Sequence, residues 1–282
     1  MEITILGAES LGVRSMACLV KTSDRLVLID PGVALAPRRF GFAPHQLELK
    51  RAAEVRNRII NILPGVTDIV ISHFHGDHAP LKQPDPVQLS LTAFTTALRT
   101  ARIYVKSRQA NTRLMNTRHL DFAAELGRHL IIADCRVEPG LEFSFPVLHG
   151  QTGRGTVLMT KITDSETVFV HASDIQLLDE QAVNIIINWQ PDILFAAGPP
   201  IYLPQLSPAA LNWAFTNALR LCRVVKTLIL DHHLLRSLNG IDWLNRLRET
   251  CPGRIISAAE WQGQQPDLLE ARRRQIYSRT LD

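Results

Sequence analysis

At 282 residues, with 46% apolar and 21% charged side chains, the chain can bury a large core and is too apolar to remain disordered. Its 31 basic and 27 acidic residues leave a net charge of +4, scattered apart from "RRR" at 272–274, a run that reads as a solvated helix face before a nucleic-acid patch. There is no apolar run of about 18 residues, and "MEITILGAESLG" at the N-terminus lacks a basic segment and a small-residue cleavage site, so the expectation is a cytoplasmic protein with no membrane partner.

Strand-like runs open the chain at Ile3–Leu6, Met16–Lys21 and Arg25–Asp30, the last closing in "LIDPG" with a Pro-Gly turn. Residues 44–63 carry Leu47, Leu49, Ala52, Val55, Ile59, Ile60 and Leu63 at roughly helical spacing, which predicts the first long helix. "TDIVI" (Thr67–Ile71) follows an "LPG" turn as a short buried strand. Between 85 and 128 the pattern is less regular: "VQLSLTAFTTALRTA" fits a strand then a helix, "IYVK" (103–106) a strand, and "NTRLMNTRHLDFAAELG" a helix closed by Gly127. Strands recur at 130–135, 141–150, 156–164 and 167–174. Helix and strand then alternate through "IQLLDEQAVNIIINWQ", "DILFAAGPP", "SPAALNWAFTNALRLCRVV" with its Ser-Pro start, and "TLILDHHLL". No linker, repeat or low-complexity tract divides the chain. The pattern predicts one α/β domain over 1–282, made of two mixed halves with strands inside and helices outside. Cys18, Cys135, Cys222 and Cys251 have no C-x-x-C spacing and are expected as buried free thiols, not as metal ligands.

The chemistry concentrates in "SHFHGDHAP", which sets His73, His75, Asp77 and His78 on the loop leaving a strand end. Imidazoles at i and i+2 on a tight loop can converge on one cation, while the carboxylate and imidazole at i+4 and i+5 turn toward a second point. A mixed His/Asp set suits zinc, iron or manganese better than calcium or magnesium. Two cations need more ligands than one loop supplies, and three isolated residues sit in the same strand-end context: His149 after "FSFPVL", Asp174 after "TVFVHAS" and His232 after "TLILD". Each is a weak signal alone; their joint presence with the loop is what counts.

In this order, H-x-H-x-D-H, then His, Asp and a final His, the sequence resembles the metallo-β-lactamase superfamily. That resemblance implies a four-layer αββα sandwich holding two divalent ions, zinc first and iron or manganese also suited. His73, His75 and His149 would take one ion, Asp77, His78 and His232 the other, and Asp174 would bridge them. Asp30 in "LIDPG" matches an early Asp that braces the metal loop. In "HH" at 232–233, His232 fits the last ligand's place and His233 remains the alternative. "IDPGVALAPRRFGFAPHQLELKR", "SDIQ" and "AAGPPIYL" are similar to an uncharacterised family of such hydrolases best known from archaea.

Two ions sharing a hydroxide imply a hydrolase of a small ester or phosphodiester, with Asp77 or Asp174 orienting the nucleophile and Asp174 passing a proton to the leaving group. A nuclease or RNA-processing phosphodiesterase is a second reading, which the 6% aromatic content and scattered arginines do not favour. A third is a non-hydrolytic iron-dependent redox or metal-binding protein. The expected partner is therefore a small-molecule substrate. Arg38 and Arg39 fit either anion contacts or a solvated loop, and "GPP" at 198–200 with Tyr202 either a rigid turn or a cleft wall. His45, His119 and His129 are expected at the surface. His171 would approach the site if strand alternation carried it inward with Ser173.

Overall fold

The computed structural model describes residues 1–127, 130–150 and 155–279. Two sheets stack face to face. The first has the order β1 (Glu2–Ile5), β2 (Cys18–Lys21), β3 (Leu26–Ile29), β4 (Asp68–Ile71), β5 (Arg102–Val105), β6 (Leu130–Ile132). Strands β1 to β3 pair antiparallel and β3 to β6 parallel. The second sheet uses β7 (Val137–Glu138), β8 (Leu141–Phe143), β11 (Thr160–Asp164), β12 (Thr167–His171), β13 (Ile193–Ala196), β14 (Thr227–Leu230) and β15 (Arg254–Ile256). There β12 to β15 are parallel, and β9 (Val147–Leu148) with β10 (Thr156–Val157) forms a separate ribbon.

The strands are apolar on both faces because both faces are covered. In β3, Val27 and Ile29 point between the sheets toward Phe143, Ile162, Phe169 and Phe195, while Leu28 points outward. The outward side meets α1 (Gln46–Ile62), α2 (Leu91–Ala97) and α3 (Arg113–Leu126) through Ala52, Val55, Ile59, Phe94, Met115 and Phe122. The second sheet is covered by α4 (Glu180–Trp189), α5 (Pro208–Cys222) and α6 (Asn239–Thr250) through residues such as Ile186, Leu221 and Leu247. The result is the αββα order of layers. No helix among the described residues is long and apolar enough to cross a membrane.

Helix starts follow their sequence signals. His45 and Glu48 form a reciprocal capping box on α1, and Ser207 caps α5 with Pro208 in the first position. Several expectations need correction. Residues 87–89 form no strand before α2. The run 141–150 is two strands in different sheets, interrupted at Pro146, which has no N–H to give a ladder. The run 156–164 divides likewise, since Leu158 leaves the ribbon and donates its N–H to Ser72 O at 3.0 Å. Cys135 is exposed, in the turn after β6, while the other three thiols are buried; all four are free.

His119 is buried on the inner side of α3 against the Phe74 ring at 4.7 Å, not at the surface; His129 lies outside the described residues. The arginine run is a solvated face only in part: Arg274 is exposed and Arg272 half-buried, but the residue between them is not solvated. Arg273 is fully buried in a bidentate pair with Glu48, at 2.8 and 2.7 Å, because burial of a guanidinium requires that kind of fork.

Lys106, directly after β5, is also buried and donates from Nζ to the carbonyls of Ser107 and Gln109, at 2.9 and 2.8 Å. Burial, offset only in part by Asp134, holds its pKa down at about 8, against 10.5 for an ordinary lysine. The unfolded chain therefore binds the extra proton between those values, and the residue's contribution to stability rises with pH through that window. Urea melts should show the stability difference between Lys106→Met and wild type shifting toward the wild type by about 2 kcal/mol from about pH 8 to about pH 10.5. A difference that does not change with pH would refute the buried ammonium.

Candidate metal centre

Functional side chains gather at the carboxyl ends of the central parallel strands, the edge where α/β sheets place their sites. The loop after β4 carries His73, His75, Asp77 and His78; Asp174 follows β12, His232 follows β14, and His149 follows β9. Three strand-end residues of this region, Asp30, Ser173 and His232, adopt left-handed backbone angles, with φ of 49°, 51° and 38°. Such angles are costly for residues other than glycine and mark positions fixed by their surroundings.

Two donor sets share Asp174. In the first, His73 Nε2 lies 3.0 Å from His75 Nδ1 and 3.6 Å from Asp174 Oδ2, and His149 Nε2 lies 2.8 Å from the same oxygen. In the second, Asp174 Oδ1 is 3.1 Å from His78 Nε2 and 3.3 Å from His232 Nε2, which is 3.5 Å from Asp77 Oδ2. A tetrahedral ion with ligands at about 2.0–2.1 Å separates its donors by about 3.3–3.4 Å, so both sets have the spacing of a coordination shell. His78 Nε2 and Asp174 Oδ1 face one another, buried and without hydrogen-bond partners, as donors that a cation would satisfy. The structure brings the residues named from the sequence together in these two sets, and Asp174, His232 and His233 also lie within reach of one point. Of the adjacent histidines, His232 joins the second set, whereas His233 Nε2 sits 3.2 Å from Asp174 Oδ2 at the cavity wall.

Behind the donors, carboxylates and hydroxyls fix the rings. His78 Nδ1 meets Asp30 Oδ2 at 2.9 Å, and His232 Nδ1 meets Glu9 Oε2 at 2.7 Å. His73 Nδ1 meets Ser72 Oγ at 3.0 Å, and that hydroxyl donates to Asp30 Oδ2 at 2.7 Å. Each contact places a proton on Nδ1 and turns Nε2 to the centre. Gly32 of "LIDPG" makes room for the loop: a Cβ there would fall 2.3 Å from His78 N.

Burial, reinforced by neighbouring imidazoles, pushes His73 well below its usual range and His75 to about 4, so both are neutral at pH 7, the form a cation would require. Burial alone would raise Asp77 and Asp174, but His232, His78 and Arg236 around the first, and His78, His232 and His233 around the second, hold both well below the usual carboxylate range. For His78 the carboxylates of Asp174 and Asp30 outweigh the opposing effect of burial and raise it well above its usual value.

A cavity of about 310 Å³ opens over the centre, lined among others by Arg14, Gln176, Pro200, Tyr202, His233 and Arg236. Arg236 was not evident from sequence. Its Nε donates to Glu9 Oε1 at 2.6 Å and its Nη2 to Asp77 Oδ2 at 3.1 Å. Arg39 does not line the cavity; it stacks on Tyr202, 5.1 Å from the ring centre, and donates to Arg236 O, while Arg38 is exposed. "GPP" is both turn and wall, with Gly198 at φ 73° and Pro200 on the cavity. His171 turns away, its Nε2 2.9 Å from Met16 O, whereas Ser173 Oγ reaches Asp30 Oδ2 at 3.2 Å.

No protein-family model matches the chain. A UPF0282 protein of Methanosarcina mazei is 47% identical over 279 residues, covering 98% of this chain and 92% of that one. Another, from Pyrococcus abyssi, is 33% identical over 293 residues, again covering 98% and 92%. Among solved structures, the isothiocyanate hydrolase from Delia radicum gut bacteria superposes with a TM-score of 0.55 at 15% identity, over 91% of this chain and 95% of that one. The fold is the four-layer metallo-β-lactamase fold.

Asp30→Asn keeps the left-handed backbone, which asparagine tolerates, and removes the charge together with one of the two acceptor oxygens that orient His78 and Ser72. Competition with a chromophoric chelator should show divalent metal affinity lowered by about 10- to 100-fold. An affinity within error of wild type would show that Asp30 does not brace the centre.

Proposed function

The chain belongs to the UPF0282 family, and from that premise and the geometry of its centre we propose that it is a metal-dependent hydrolase of a small ester or phosphodiester. The observation that carries this reading is the pair of donor sets joined at Asp174 and opening on a cavity of about 310 Å³, a size for a small molecule or one end of a larger one. His73, His75, His149 and Asp174 would hold one divalent ion; Asp77, His78 and His232, with the other oxygen of Asp174, would hold a second. Zinc suits the all-nitrogen-and-oxygen shell best, and iron or manganese also fit it. A divalent ion in such a site acidifies a water molecule and polarises the electrophilic carbonyl or phosphoryl group.

The protein's own groups do the rest. Asp77 stays ionised and faces the cavity, placed to orient the nucleophile. Asp174 has imidazoles against both oxygens, so its share is to hold the two sets in register, with proton transfer to the leaving group as a second role. His233 is kept neutral by burial and then by the charge of Arg236, and its Nε2 can donate to a developing oxyanion at the cavity wall. Tyr202 and Arg14 line the outer cavity, where an anionic or polar substituent would meet them.

Protein purified without chelators should carry at least one zinc, iron or manganese ion per chain by inductively coupled plasma mass spectrometry. It should turn over bis-p-nitrophenyl phosphate or a member of a lactone and thioester panel. His149→Ala and Asp77→Ala should each lower turnover by at least about a hundredfold. Less than one ion per chain after reconstitution would end the metal reading; iron with oxygen consumption and no hydrolysis would replace the hydrolase by a redox enzyme.

A further inference from the structure

The second donor set contains a cation already: the guanidinium of Arg236. Nη2 lies 2.7 Å from His232 Nε2 and 3.1 Å from Asp77 Oδ2, two of the four atoms that would bind the second ion. Those two atoms are 3.5 Å apart. An ion about 2.0–2.1 Å from each must lie on a circle about 1.0–1.2 Å in radius around their midpoint, and every point of that circle is within about 3.5 Å of Nη2. The side chain is 7% exposed, and arginine does not lose its proton, so neither bulk water nor deprotonation relieves the repulsion between guanidinium and dication.

Arg236 is also anchored. Glu9 holds Nε through Oε1 at 2.6 Å while its other oxygen holds His232 Nδ1 at 2.7 Å, so one carboxylate orders both the ligand and its competitor. The first set has no such neighbour: no arginine or lysine is bonded to His73, His75 or His149 among the described residues. The two sets therefore differ in what a cation meets on arrival, although their donor spacing is alike.

Resting on the metal-dependent reading above, we propose that Arg236 guards the second cation position. With the guanidinium in place the chain holds one divalent ion tightly, in the His73–His75–His149–Asp174 set, and Arg236 supplies the second positive charge facing the cavity. A second ion enters only when Arg236 withdraws from Asp77 and His232. This makes Arg236 a positioning residue for metal occupancy and a candidate contact for the negative charge of a substrate.

The test is a titration of the metal-free full-length chain with cobalt(II), followed by its visible absorption, with metal content counted by mass spectrometry after dialysis. Wild type should take one tight equivalent, with the second at least about tenfold weaker. Arg236→Met should tighten the second equivalent by at least about tenfold and leave the first unchanged. Because that change strands the Glu9 carboxylate, the charge-balanced double variant Glu9→Gln/Arg236→Met is measured beside it, with thermal melts to verify folding of both. Two equally tight equivalents in wild type overturn the guard while leaving the metal-dependent reading intact. A single equivalent in wild type and in the folded variants also overturns it, since removing the guanidinium would then admit nothing. No tight equivalent in wild type removes the guard together with the reading on which it rests.

Discussion

The Asp30 carboxylate is the constraint on which the rest of the centre depends. It is fully buried after β3, and an unpaired carboxylate there would cost several kcal/mol, roughly enough to cancel the stability of an ordinary domain. Four donors meet it: Ser72 N at 2.8 Å, Ser72 Oγ at 2.7 Å, Ser173 Oγ at 3.2 Å and His78 Nδ1 at 2.9 Å. Ser72 follows a strand of the first sheet and Ser173 a strand of the second. One side chain thus joins the two sheets at the point where the ligands converge, and the left-handed angles at Asp30 and Ser173 are the backbone cost of bringing them there.

The loop motif and the strand-end residues were legible in the sequence because both rest on local features: close spacing of donors, and an apolar run followed by a turn. That strands lie inside and helices outside was legible for the same reason, since helical and strand periods alternate along the chain; the four-layer order followed only from the family resemblance. Glu9 and Arg236 were not legible. Their partners lie 223 and 227 residues apart in sequence, and an acidic residue in "GAESLG" carries no mark of burial. The one available hint was the placement of Arg236 four residues after His232, on the same short turn. The break at Pro146 could have been read from its missing N–H. Arg273 could not, because a buried arginine is indistinguishable from an exposed one until Glu48 is seen beside it.

The walls of the cavity are built from matched charges. Arg14 makes two bonds of 2.6 Å to Glu270, and Arg236 divides its donors between Glu9 and Asp77. Within a low-dielectric wall, such pairs orient one another and hold each charged group in place. They also make the wall intolerant of single changes, since removing one member leaves the other buried and unpaired. Shape and charge are therefore coupled here: the side chains that set the cavity's outline are the ones that balance its electrostatics.

The spread of the ligands along the chain sets a timetable for biosynthesis. Donors of the first set are complete once residue 174 has been made, whereas the second waits for His232, whose ring is held by Glu9, made 223 residues earlier. A chain growing at about 5–20 residues per second presents the first set some seconds before the second can exist. The contact between Glu9 and His232 can therefore close only after the last parallel strands have been made, so the second set takes its final form later than the first.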